Sequence, residues 1–176
     1  MTFLVDRYKM KPDKEGNMKN GASIPCVVTL LILLIAPASN GQLAPNAPVD
    51  NPVHTTMDQA RKMEAAIKPY IEQARKTYPE AKARYLAGLP KGETFFVTAK
   101  ITDSRSHFEV VFVQVTKISD GKITGRIASQ IVAVAGYKQG DEYTLSETDL
   151  VDWTISKADG TEEGNVVGKF IETYHP

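Results

Sequence analysis

The sequence predicts an α+β domain: an amino-terminal helical hairpin packed on an antiparallel sheet of five or six strands. Two observations carry that expectation. Apolar residues recur at spacings of three and four across residues 57–87, and from residue 93 the period changes to two in segments rich in β-branched and aromatic residues. Short turn signals such as "DSRS", "SDGK" and "ADGTEEG" separate those segments, as a meander of sequential strands requires.

The elements follow in order. "CVVTLLILLIA", residues 26–36, is an unbroken apolar run preceded by Lys19 and followed by small, proline-rich polar sequence. That order is a secretory signal. The run is shorter than the roughly 20 apolar residues that cross a bilayer, so cleavage is expected, near Ala38. An uncleaved anchor is the alternative, and the one route by which the chain would touch a membrane. Met18 offers a second start for the signal, and residues 1–17 are then an over-called start. The domains expected are a signal at 1–38, a flexible linker at 39–55 and one α+β domain at 56–176, with the product periplasmic or extracellular.

Within the domain, Thr56 and Gln59 make a capping box. Ala60, Met63, Ile67, Tyr70, Ile71, Ala74, Tyr78, Ala81 and Tyr85 then mark one helical face. Pro69 lacks an amide donor and predicts a bend near residue 68, while Pro79 suits the first turn of a second helix. Two segments are therefore predicted, 57–77 and 79–87, closed by Gly88 and Pro90. "TFFVTAKIT" and "HFEVVFVQVTKI" form a hairpin, and Gly121 supplies a positive φ for the next turn into "ITGRIASQIVAVA". After "YKQGDEY", the strand "YTLS" precedes a last hairpin over "VDWTISKADGTEEGNVVGKFIETY".

Charge and cysteine content exclude several functions. The formal net charge is zero, with eight Lys/Arg against five Asp/Glu in residues 39–91 and eight against thirteen in 92–176. This is far from the dense basic face that nucleic acid needs. Cleavage would remove Cys26, the only cysteine, and with it any thiol nucleophile, disulfide or zinc–cysteine site. The three histidines are His54, His107 and His175, and there is no G-x-S-x-G elbow, so a hydrolytic triad is not expected. His107 and Glu109 are two apart on a strand and would share a face, but a metal needs further ligands that the sequence does not supply. No metal or cofactor is predicted.

Glu109, Asp149 and Asp152 are candidate paired carboxylates, with structural readings beside them: Asp149 capping a short turn, Asp152 accepting backbone hydrogen bonds at a strand start. The glycines of "GKITGR" and "GNVVGKF" lack phosphate-loop spacing. Gly168 reads as a strand glycine that a large ring, Trp153, approaches.

The sequence of "MDQARKMEAAIKPYIEQARKTYPEAKARYLAG", "FFVTAKI", "HFEVVFVQV", "DGKITGRIAS", "YKQGDEYTLSETDLVDWTI" and "GNVVGKFIETY" resembles the YegJ-like family, the domain of unknown function numbered 2314, over residues 57–174. By that resemblance Glu109 is the family's strand glutamate, and Phe112 stands where tryptophan is usual. Asp120, Gly121 and Gly125 match its turn and strand glycine, Gly140-Asp141 and Asp152-Trp153 its most specific pairs, and Gly168 its last glycine. "SQIV" after Ala128 departs from the family's asparagine and proline. The resemblance implies a domain boundary and no reaction.

Three functions stay open. The first is an exported, non-catalytic binding or interaction domain of the cell envelope, taking another envelope protein as partner, with Trp153, Phe112, His107 and Asp141 as binding candidates. The second is a small hydrolase or lyase, which needs Glu109 and Asp152 in one pocket. The third is a toxin-neutralising or envelope-stress protein.

Overall fold

The computed structural model describes residues 43–50 and 57–174. The expected signal, its cleavage point, His54, His175 and the Thr56–Gln59 cap lie outside the residues or side chains described. Among the described residues no helix is long and apolar enough to cross a membrane.

Helix α1 runs unbroken over Met57–Ala87. The expected helical hairpin is not formed, because Pro69 and Pro79 both sit inside this one helix. Each proline deprives the carbonyl four residues earlier of its donor. Pro69, Pro79 and the affected residues, Ala65 and Arg75, are all exposed, so water can take the freed acceptors and the helix continues. The opposite stripe is the predicted one: Met63, Ala74, Tyr78 and Ala81 are buried, with Tyr70 and Tyr85 half-buried beside them. Gly88, at φ +95°, ends the helix.

Six strands follow: β1 (Thr94–Thr102), β2 (Phe108–Ser119), β3 (Lys122–Ile127), β4 (Glu142–Ser146), β5 (Asp152–Ser156) and β6 (Glu162–Gly164). They form one antiparallel sheet in the order β4-β3-β2-β1-β5-β6. Asp120 and Gly121, at φ 54° and 71°, make the two-residue turn between β2 and β3. Gly125 lets β3 lie close to β2, since a Cβ there would fall 2.2 Å from the Gln114 carbonyl oxygen.

Cross-strand partners share a face of the sheet, so the register sorts the side chains. Val97 pairs with Val113 and Trp153, and Phe95 with Ile155. These residues form the main core with Ala74, Tyr78 and Ala81 of α1. Tyr85 stacks on Phe95 at 5.3 Å between ring centroids. Burying a ring such as Phe95 contributes about 2–3 kcal/mol. Phe96, Thr98, Phe112, Gln114, Asp152, Thr154 and Ser156 point to the second face.

A short crossover leads from β4 to β5 on the α1 side. Its 3₁₀ turn, Glu147–Asp149, is capped by the Ser146 hydroxyl, so Asp149 lies within the turn and does not cap it. Leu150 is fully buried, and Lys82 and Arg75 of α1 hold the crossover through the Glu147 carboxylate and the Leu150 carbonyl.

The carboxyl-terminal segment departs from expectation. The last hairpin closes after three residues of β6, and the predicted strand around Gly168 is helix α2, Val166–Thr173. Val166, Val167, Phe170, Ile171 and Tyr174 have helical spacing, which the valine pair and the glycine obscured. Phe170 stacks on Tyr70 at 4.2 Å, so packing against α1 settles the choice. The glycine under Trp153 is consequently Gly164, where a Cβ would meet the ring at 2.8 Å, whereas Gly168 lies against the Asn165 side chain.

Residues 43–48, expected to be part of a linker, lie hydrogen-bonded against the sheet. The Ala44 amide donates to Gln114, and the Asn46 side chain donates to the Gly92 and Ser156 carbonyls.

Candidate functional site

Glu109 and Asp152 are both buried, but on opposite faces. Glu109 pairs with Ile101 on the α1 side, whereas Asp152 pairs with Thr98 on the second face. They do not share a pocket. Each carboxylate accepts backbone amides. Glu109 receives Val132 at 3.2 Å and Ala133 at 3.1 Å. Asp152 receives Trp153 at 2.8 Å and Val167 at 2.6 Å. Glu109 thereby ties the loop after β3 to the sheet. Asp152 acts as a remote cap for α2, placing an anion at the amide end of that helix. Burial dominates its ionisation and pushes the carboxyl up to about 6, despite the Val167 and Trp153 amides and nearby Lys169.

The His107 ring meets Asp103, with Nδ1 at 3.1 Å from the carboxylate. Asp103, which is not among the residues the sequence marks as candidates, organises this corner. Its oxygens accept the Arg105, His107 and Ala135 amides. Burial opposes its charge, but those amides and the His107 ring outweigh burial and hold the carboxyl down at about 2. The signal available was the Asx-turn pattern of "TDSRSH". Asp103 and Glu109 together fasten the segment 132–135.

Among the remaining candidates, Asp141 accepts the Lys138 amide and closes a turn in which Gly140 has φ +90°. Phe112 shares the row Asp152–Thr98–Phe112 across the second face, and its amide donates to the Ser129 hydroxyl. Trp153 faces α1, donating from Nε1 to the Thr77 hydroxyl at 3.0 Å. Of the sequence candidates, only Asp152 and Phe112 are brought into one row.

An open concavity among the described residues lies elsewhere. A cleft of about 450 Å³ lies on the α1 side of the crossover, lined by Arg75, Lys100, Tyr143 and Asp149 over a floor that includes Ala99, Leu145 and Val151. Arg75 Nε donates to the Leu150 carbonyl at 2.8 Å, which fixes the guanidinium plane. Lys100 Nζ sits 3.9 Å over the Phe108 ring and 3.7 Å from the Glu64 carboxylate, so its charge is already partnered. Burial, then Tyr137 and Asp149, push the Tyr143 phenol up, keeping it a neutral donor. Such walls suit a polar ligand with an anionic group. Of the three carboxylates considered from sequence, Asp149 alone lines the cleft. Arg75 and Tyr143 carried no sequence signal, because solvated helix arginines and strand tyrosines are commonplace.

Fold and site together define a small α+β domain whose motif acids anchor backbone. The chain belongs to the family described as "Uncharacterized protein conserved in bacteria (DUF2314)", whose model matches residues 59–173. No curated protein and no solved structure matches it.

Proposed function

We propose that the chain is an exported, non-catalytic binding module of the bacterial cell envelope that takes its ligand in the Arg75–Asp149 cleft. One observation carries this reading: the cleft joins a carbonyl-fixed guanidinium to an apolar floor and an opposing carboxylate. That combination orients a small polar molecule bearing a carboxylate or phosphate. The use of Glu109 and Asp152 as backbone acceptors on opposite faces favours binding over turnover by that pair. Export rests on the charged, apolar and small-residue order of residues 19–41.

The test is an NMR titration of the full chain with a panel of small carboxylates and phosphates. Saturable shifts at Arg75, Tyr143 and Asp149 are expected, and Arg75→Ala should weaken binding by roughly tenfold or more. Shifts that bypass the cleft, or a turnover abolished by Glu109→Ala or Asp152→Ala, would remove the reading.

A further inference from the structure

The second face of the sheet already holds a peptide. Ala44 to Pro48 form a turn, closed by the Ala47 amide on the Ala44 carbonyl at 3.2 Å. The turn sits where β1, β2 and β5 meet. The Ala44 amide donates to Gln114 Oε1 at 2.7 Å. Asn46 Nδ2 donates to the Gly92 carbonyl at 3.1 Å and the Ser156 carbonyl at 2.9 Å, while its Oδ1 accepts from the Thr94 hydroxyl at 3.0 Å. Pro48 is buried, and Val49 immediately beyond it is 77% exposed. The contact resumes at Asp50, whose side chain hydrogen-bonds Ser129.

The recognition is specific in kind. One asparagine side chain satisfies two backbone carbonyls and a hydroxyl. The flanking prolines, Pro45 and Pro48, have no amide hydrogens to leave unpaired and restrict the segment before it docks. The surface also has unspent capacity. Thr154 and Ser156 are 0% and 2% exposed, and their hydroxyls make no hydrogen bond among the described residues. Both belong to the strand the turn rests on. The occupying residues lie outside the family match, which begins at residue 59, whereas every receiving residue lies inside it. The receiving surface thus belongs to the shared domain, and the turn is an appended occupant.

We propose that this surface, formed by Thr94, Phe96, Gln114, Thr154 and Ser156, is a docking site for a proline-flanked asparagine segment of another polypeptide. In the free chain its own residues 44–48 occupy the site. The tethered copy acts at high effective concentration, so a partner binds by displacing it. Backbone acceptors and a proline-restricted guest are the ordinary means by which a sheet surface recognises a short peptide. The site is separate from the cleft, and neither depends on the other.

A synthetic peptide spanning residues 42–50 tests the proposal against the full-length chain and its Asn46→Ala variant. Asn46→Ala removes three tethering bonds and should open the site. The peptide should then give saturable NMR shifts at the Thr94, Phe96, Gln114 and Ser156 amides, and bind roughly tenfold or more tightly than it binds the unaltered chain. A peptide with alanine in place of its asparagine should lose a similar factor. Gln114→Ala in the Asn46→Ala background, with circular dichroism confirming the fold, should weaken binding again. Equal binding to both chains, shifts confined to other surfaces, indifference to the peptide's asparagine, or no binding to the opened variant would each overturn the proposal.

Discussion

The two faces of the sheet are held by different physics. The α1 face joins Phe95, Val97, Ile155 and Trp153 to a helix stripe of alanines and tyrosines, and apolar burial dominates it. The second face carries Phe96 among Thr98, Asp152, Thr154 and Ser156, and its contacts with residues 44–48 and with the α2 amide end are directional hydrogen bonds. Apolar burial is indifferent to pH and tolerant of partner geometry, whereas buried polar atoms depend on protonation and on each partner being present. The first face fixes the fold. The second is where solution conditions and peptides can act.

The largest expected effect breaks the first face. Phe95→Ala should cost about 3–5 kcal/mol, because it removes a buried ring and leaves a cavity beneath Tyr85. Gln114→Ala, on the other face, should cost about 1 kcal/mol, the net value of one hydrogen bond. Urea unfolding of both variants measures the difference. Equal losses would erase the distinction between the faces.

The next effect sharpens it through pH. Asp152 has its folded carboxyl raised from 3.8 to about 6, so between those values the folded chain retains a proton that the unfolded chain has lost. Its contribution is fully present below 3.8 and lost as pH rises through about 6. The loss is about 2–3 kcal/mol. Asp103 works oppositely. Held at about 2 against 3.8, it stabilises the fold above 3.8 and loses that contribution as pH falls towards 2. Melting temperatures across this range should fall less on alkalinisation in Asp152→Asn than in the unaltered chain, and less on acidification in Asp103→Asn. A variant whose profile parallels the unaltered chain would show that its carboxylate is not the titrating group.

These assignments also explain what was legible in the sequence. The stripe from Met63 to Tyr85 and the strand alternation are short-range patterns, and the structure reproduces them. The Asp120-Gly121 turn was readable because few dipeptides adopt two positive φ angles easily. The continuity of α1 was hidden, since a proline breaks or spares a helix according to which side faces water. Helix α2 was hidden because its apolar spacing fits helix while its valines favour strand, and Tyr70 decides from 100 residues earlier. The cleft was the least legible feature. Arg75 and Asp149 are drawn together only by the crossover, whose path no local pattern encodes.

The smallest expected effect concerns a directional bond at the centre of the apolar face. Trp153 is 7% exposed, and its Nε1–H reaches Thr77, whose hydroxyl also donates to helix carbonyls, Gln73 at 3.1 Å and Ala74 at 3.2 Å. Thr77→Val keeps the shape of the side chain and removes the acceptor. Because Thr77 is at the helix edge and exposed, water can replace part of what is lost, which limits the cost to about 1 kcal/mol. Trp153 is the only tryptophan, so its emission reports the change directly. A shift in emission with a loss of that size is expected. A loss rivalling Phe95→Ala would mean that this face also depends on a polar contact, and the contrast between the two faces would then fail at its centre.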